Sequence, residues 1–300
     1  MLSGGHRTRE YAGSGVPHPI PLPLGPSTRA SVARVLHTHE ISVTDDVVRK
    51  TYVSWAQDEP GREWQALVHL DRHAPGLAPR PIARLEVDDR PVIDMALVAG
   101  LPLTEALSRE QTSALAGAFL RLFAVPVPAD LRLRAHDPTS FRERFRWWLE
   151  ADHDWDACQD PDGVRHAVDA ARRWLVRHPP TPDWIDDPVI ALGDGNLDNV
   201  LWDGRACRLV DWEEYGVSDL SYEVADVLEH ASSRLERRLD SSALLAELAL
   251  TADQRERVEH HRRTFACFWL AMLLPGRPGW HRNPPGSTED QASRVLELVG

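Results

Sequence analysis

The chain has 300 residues, 42% hydrophobic and 27% charged. This excludes a disordered polymer and is enough for a substantial buried core. Its net charge of −12 repels nucleic-acid phosphates and would attract a cationic ligand. Three scattered cysteines, Cys158, Cys207 and Cys267, exclude a disulfide framework or a zinc site and point to a reducing compartment.

In chain order, residues 1–27 carry Gly4, Gly5, Gly13 and Gly15, then Pro17, Pro19, Pro21 and Pro23. No regular element fits this composition, and a loosely docked arm is expected. No continuous hydrophobic region of the signal-peptide kind stands here, and the longest apolar run, near Phe265 to Leu274, is too short to span a bilayer. The expectation is a cytoplasmic protein, monomer or homodimer, with no membrane or nucleic-acid partner.

Val43, Val47, Val48, Tyr52 and Val53 flank an Asp45-Asp46 turn and predict a hairpin. A helix follows over Pro60 to His73, with Trp64, Leu67, Val68 and Leu70 as its apolar face. Two more strands are predicted at Pro81 to Val87 and Pro91 to Leu97, before a break at Gly100 and Pro102. The remainder is mainly helical. Ser108 with Gln111, Thr251 with Gln254, and Ser287 with Asp290 are the predicted helix starts. Short strands are expected at Val189 to Leu192, Val200 to Trp202 and Arg208 to Val210. An N-lobe over residues 28–98 and a C-lobe over residues 99–300 would enclose a cleft.

The chemistry concentrates between residues 189 and 226. Gly193-Asp194-Gly195-Asn196-Leu197-Asp198-Asn199 lies between apolar runs, and Leu209-Val210-Asp211-Trp212-Glu213 follows. Short strands on either side would place Asp194, Asn199 and Asp211 at loop ends on one side of the protein. Phosphoryl transfer needs such a set: a carboxylate for the attacking hydroxyl, and an amide and a second carboxylate to hold Mg²⁺ against the phosphates.

These residues resemble the aminoglycoside phosphotransferase family and its choline-kinase and fructosamine-kinase relatives. Two lobes alone would fit ATP-grasp enzymes as well as kinase-like ones; the loop motifs separate them. The resemblance implies an α+β, protein-kinase-like two-lobed fold, with an N-terminal antiparallel sheet lobe holding one helix and a mainly helical C-terminal lobe. It implies Asp194 as catalytic base and Asn199 and Asp211 as Mg²⁺ ligands, with ATP as phosphoryl donor. Gly216, Asp219, Tyr222, Glu223, Ala225 and Asp226 occupy the positions that continue the family's pattern. Leu192 departs from it, standing where the family carries a histidine, and Asp198 adds a second acid, read first as a solvated turn acid and otherwise as a rival base or extra metal ligand.

A kinase-like nucleotide lobe also needs a strand lysine oriented by a helix glutamate. Lys50, the only lysine in the chain, is preferred over its neighbour Arg49, and Glu63 is its expected partner. Met95, Ala96 and Leu97 resemble the segment that faces adenine. No glycine occurs between Arg34 and Asp45, so the Gly-rich phosphate loop is missing. For the acceptor, Glu213, Glu214, Trp148, Asp152 and Trp269 are the candidates, since acids and aromatic walls suit cationic or sugar-like ligands. The reading is an ATP-dependent phosphotransferase acting on a hydroxyl of a small molecule, such as an aminoglycoside-like or other cationic antibiotic. The alternatives are a metabolite kinase for an amino alcohol, sugar or nucleoside-type compound, and a catalytically weak pseudokinase that binds without turnover.

Overall fold

Alternation of apolar and polar residues, broken by the Asp45-Asp46 and Asp88-Asp89 turns, produces two hairpins that join into one sheet. The computed structural model describes residues 39–180, 183–236 and 238–300; the expected arm at residues 1–27 lies outside them. Strands β1 (Glu40–Val43), β2 (Val47–Thr51), β3 (Pro81–Val87) and β4 (Arg90–Ala96) form an antiparallel sheet in the order β1-β2-β4-β3. Helix α1 (Glu59–His73) crosses over between β2 and β3. Its buried stripe is Glu63, Ala66, Leu67 and Leu70, with i, i+3, i+4, i+7 spacing. The expected face is therefore rotated: Val68 is 46% exposed, and Ala66 takes its place in the core.

After the Leu97–Gly100 connection, β5 (Leu101–Pro102) leads into α2 (Arg109–Phe123), α3 (Pro138–Glu150) and α4 (Pro161–Arg177). Strands β6 (Pro188–Ala191), β7 (Val200–Trp202), β8 (Cys207–Leu209) and β9 (Gly216–Asp219) follow. Helices α5 (Leu220–Glu229), α6 (Ala231–Arg234), α7 (Ser241–Glu247), α8 (Ala252–Leu273) and α9 (Ser287–Val299) complete the chain. The short strands form two small sheets, β5-β7-β8 and β6-β9. The C-lobe core packs around α8, where Phe265, Cys267 and Leu270 are fully enclosed.

Capping boxes start α2 at Ser108 and α8 at Thr251, each worth about 0.5–2 kcal/mol. At α9 the expected Ser287 cap is replaced by Gly286, whose φ of 91° is open only to a residue with little steric hindrance. No helix among the described residues is long and apolar enough to cross a membrane.

Candidate active site

Strand alternation separates the two cations of β2. Arg49 points to the outer face and pairs with Asp94 of β4 at 2.7 Å. Lys50 points inward, is buried, and donates to Glu63 Oε2 of α1 at 2.7 Å. Glu63 is 1% exposed and also accepts from the Tyr52 hydroxyl and, at 3.4 Å, from the Trp212 N–H. A carboxylate this deep needs several donors to offset its lost hydration.

The same ammonium reaches the C-lobe. Lys50 Nζ lies 2.5 Å from Asp211 Oδ1 and 2.9 Å from Glu213 Oε2. His39 adds a further donor to Glu213, Nε2 at 2.9 Å, while its Nδ1 accepts the Val53 N–H at 3.4 Å. Three carboxylates thus crowd one ammonium. Burial opposes charge on Lys50, but Glu63 and Asp211 outweigh it and hold its pKa well above the usual range. Burial pushes the Asp211 carboxyl up; Lys50 opposes this and the like charges of Glu213 and Glu63 add to it. Oxygens of Glu63, Asp211 and Glu213 lie within 4.8 Å of one another. This hard oxygen set fits a divalent cation such as Mg²⁺, which would relieve the crowding. Asp211 itself has φ of 68°, an unusual left-handed conformation for a side-chain-bearing residue, of the kind that clusters at functional sites.

The loop from Gly193 to Asn199 brings the other groups. Asp194 Oδ1 accepts from the Asn196 N–H and Oδ2 from the Asn199 side-chain amide, both at 3.1 Å. That contact consumes the Asn199 nitrogen and leaves its oxygen as the ligand-type atom. The Asn199 carbonyl accepts the Val210 N–H at 2.9 Å, so the turn after β6 and the end of β8 are tied together. Partial desolvation pushes the Asp194 carboxyl above its usual range, against the lowering effect of its hydrogen bonds and of Arg134, although the side chain keeps 38% of its exposure. Gly195 is required by space: a Cβ there would sit 2.7 Å from the Asp226 carbonyl oxygen.

Underneath, buried Arg134 donates to Glu223 at 2.5 Å, to Asp226 at 2.9 Å and to the Gly193 carbonyl. Glu223 in turn accepts the Leu192 and Gly193 N–H groups at 3.1 and 3.3 Å. This network supports the loop at the point where Leu192 offers only an apolar side chain.

The profile described as "Phosphotransferase enzyme family" matches residues 30–263. The chain belongs to this family. No curated protein matches the sequence. Among solved structures, it is similar to a choline/ethanolamine kinase family protein from Mesorhizobium loti, at 16% identity and a TM-score of 0.56 over 87% of this chain and 85% of the other. It is similar to aminoglycoside 2'-phosphotransferase-IIIa in its GDP complex, at 16% identity and a TM-score of 0.55 over 87% and 88%. A choline kinase from Streptococcus pneumoniae superposes at 12% identity with a TM-score of 0.56 over 87% and 89%. These likenesses establish the two-lobed kinase-like fold of this phosphotransferase-family member.

The remaining sequence candidates divide. Asp198 is held by Arg238 at 2.6 Å, so it is a paired acid rather than a free turn acid. Met95 is buried on β4. The N–H groups of Ala96 and Leu97, expected to face adenine, are bonded to the Arg80 and Asp46 carbonyls at 2.9 Å. Glu214 binds His136 at 2.8 Å and lies 3.8 Å from Arg134. Trp148 packs against the C-lobe core and Asp152 is exposed; among the described residues, no hydrogen bond or ion pair links either to the Asp194–Asp211 cluster. Trp269 meets it only through His230, whose ring is 4.6 Å away. Sequence reasoning missed Arg134, His39 and His230, since each lies outside the motif and joins it only by folding.

Proposed function

We propose that this phosphotransferase-family member transfers the γ-phosphoryl group of ATP to a hydroxyl of a small molecule. The observation that carries the reading is the Lys50 ammonium, which joins Glu63 of the N-lobe to Asp211 of the C-lobe. Phosphoryl transfer is catalysed mainly by positioning and charge neutralisation, and this cluster supplies both. Lys50, oriented by Glu63, binds the donor's phosphates. Asp211 and Asn199 hold Mg²⁺, with Glu213 alongside. Bound Mg²⁺ supplies neutralisation of the phosphate charge. Asp194 accepts the proton of the acceptor hydroxyl, and its raised pKa suits a base better than an ordinary aspartate would.

The acidic cluster of Glu63, Asp211 and Glu213 favours an acceptor with a cationic group, in keeping with the choline, ethanolamine and aminoglycoside named for the structural neighbours. A cationic antibiotic and an amino-alcohol metabolite are the two candidate classes. The test measures ADP release with ATP and Mg²⁺ against hydroxylated cationic antibiotics, amino alcohols, sugars and nucleosides. A hit lost in Asp194→Asn supports the reading; ATP consumption that survives both Asp194→Asn and Asp211→Asn defeats it.

A further inference from the structure

His230 ends α5 and begins α6, and its ring stands beside the catalytic loop. Nε2 lies 3.4 Å from Asp194 Oδ1. The other ring nitrogen, Nδ1, accepts the Ser232 backbone N–H at 3.1 Å and lies 2.7 Å from Ser232 Oγ. Ser232 Oγ itself accepts the Leu197 N–H at 3.0 Å, which frees its own proton for Nδ1. Two donors therefore converge on Nδ1. A neutral imidazole whose Nδ1 accepts must carry its proton on Nε2, the nitrogen that faces Asp194. The Trp269 indole packs edge-on against the ring, with centroids 4.6 Å apart, and fixes its plane. Burial keeps the ring neutral, pushing its pKa down to about 3.

We infer that His230 is a positioning residue for Asp194, donating Nε2–H to Oδ1 and so helping the Asn196 and Asn199 contacts fix the rotation of the carboxylate. The inference rests on Asp194 being the base. A neutral donor suits this role because it orients the carboxylate without the acidifying effect of a cation. At 3.4 Å the contact is longer than a usual N–H···O hydrogen bond, so its inferred role is to orient the carboxylate rather than to hold it tightly. The chain from Leu197 through Ser232 and His230 to Asp194 also starts and ends within one loop, so it holds both ends of the Asp194–Leu197 turn.

Two substitutions separate positioning from structure. His230→Asn keeps an oxygen where Nδ1 caps α6 but cannot reach Asp194. His230→Gln loses the cap and keeps a terminal N–H at the Nε2 position. ADP release is measured with ATP and Mg²⁺, using choline, ethanolamine and spectinomycin as probe acceptors and water as the background acceptor. His230→Asn should lower kcat roughly 10–100-fold, as loss of an orienting partner does, with KM for ATP unchanged. His230→Gln should recover most of that loss despite a lower Tm. In an Asp194→Asn background neither substitution should slow turnover further. A purely structural role predicts the reverse order of the two variants, and that order, or an additive loss in the double variants, overturns the inference. Imidazole ¹⁵N NMR of the unaltered protein gives an assay that needs no turnover: an Nε2–H signal that shifts in Asp194→Asn supports the contact, and an Nδ1–H tautomer sinks it. Full turnover in Asp194→Asn would instead overturn the base assignment, and the NMR readout would then stand apart from it.

Discussion

Lys50 Nζ sits 2.5 Å from Asp211 Oδ1, so the proposed phosphate-binding lysine and the proposed metal ligand form one ion pair. A bound metal and nucleotide would have to exchange partners with this pair. Lys50→Met removes the ammonium and leaves Glu63, Asp211 and Glu213 facing one another. Free Mg²⁺ or Mn²⁺ should then bind more tightly without nucleotide, while ATP binds roughly 10–100-fold more weakly, the scale of a lost charged hydrogen bond. Isothermal titration with each ligand alone checks both; equal weakening of metal and ATP would count against the exchange.

Asp211 and Asp194 should fail differently. Asp211→Asn should weaken nucleotide binding and turnover together, with partial recovery at high Mg²⁺ or Mn²⁺. Asp194→Asn should leave nucleotide binding intact and lower kcat by roughly 10²–10⁴-fold, the range of a general base, with no recovery from metal. Asp198→Asn, which breaks only the Arg238 pair, should cost stability more than rate. Binding titrations alongside kcat separate the three.

Arg134→Met strips the guanidinium that pairs with Glu223 and Asp226, both buried. Leaving such charges uncompensated typically costs about 3–5 kcal/mol, readable as a lower urea midpoint. Adding Glu223→Gln and Asp226→Asn should restore much of the stability. Turnover should stay low, because the Leu192 and Gly193 N–H groups and the Gly193 carbonyl lose their charged partners.

His261 predicts an acid-sensitive element away from the cleft. Burial, reinforced by His260, Arg257 and Arg142, pushes its pKa down to about 3, against about 6.5 for an unfolded histidine. The folded state binds fewer protons than the unfolded one between these values. Stability from this site is therefore complete above pH 6.5 and falls as pH drops toward 3, by at most about 1.4 kcal/mol per pH unit. His261→Leu should flatten the fall in Tm between pH 6.5 and 4; a parallel fall in both proteins would show that other groups dominate.

The order strand, strand, helix, strand, strand was legible because period-two alternation and the Asp-Asp turns are local. The α1 stripe was misplaced by one position because the sheet selects the polar Glu63 as part of the buried face, which hydrophobicity alone does not foresee. The α9 start at Ser287 was legible, but the capping geometry was not, since the chain enters through Gly286 with positive φ and no side-chain cap. Trp148 and Asp152 were attractive by composition, yet composition carries no direction.

By itself the sequence determined the loop chemistry. The spacing of Asp194, Asn199 and Asp211 across two short strands is set within about twenty residues, where chain geometry leaves few arrangements. Only the tertiary structure decided what surrounds them. Lys50 is 161 positions from Asp211, Arg134 is 92 from Asp226, and His230 reaches Asp194 from beyond α5. Such approaches depend on how buried faces pack across the lobes, and packing is a property of the whole core that no local pattern of residues encodes.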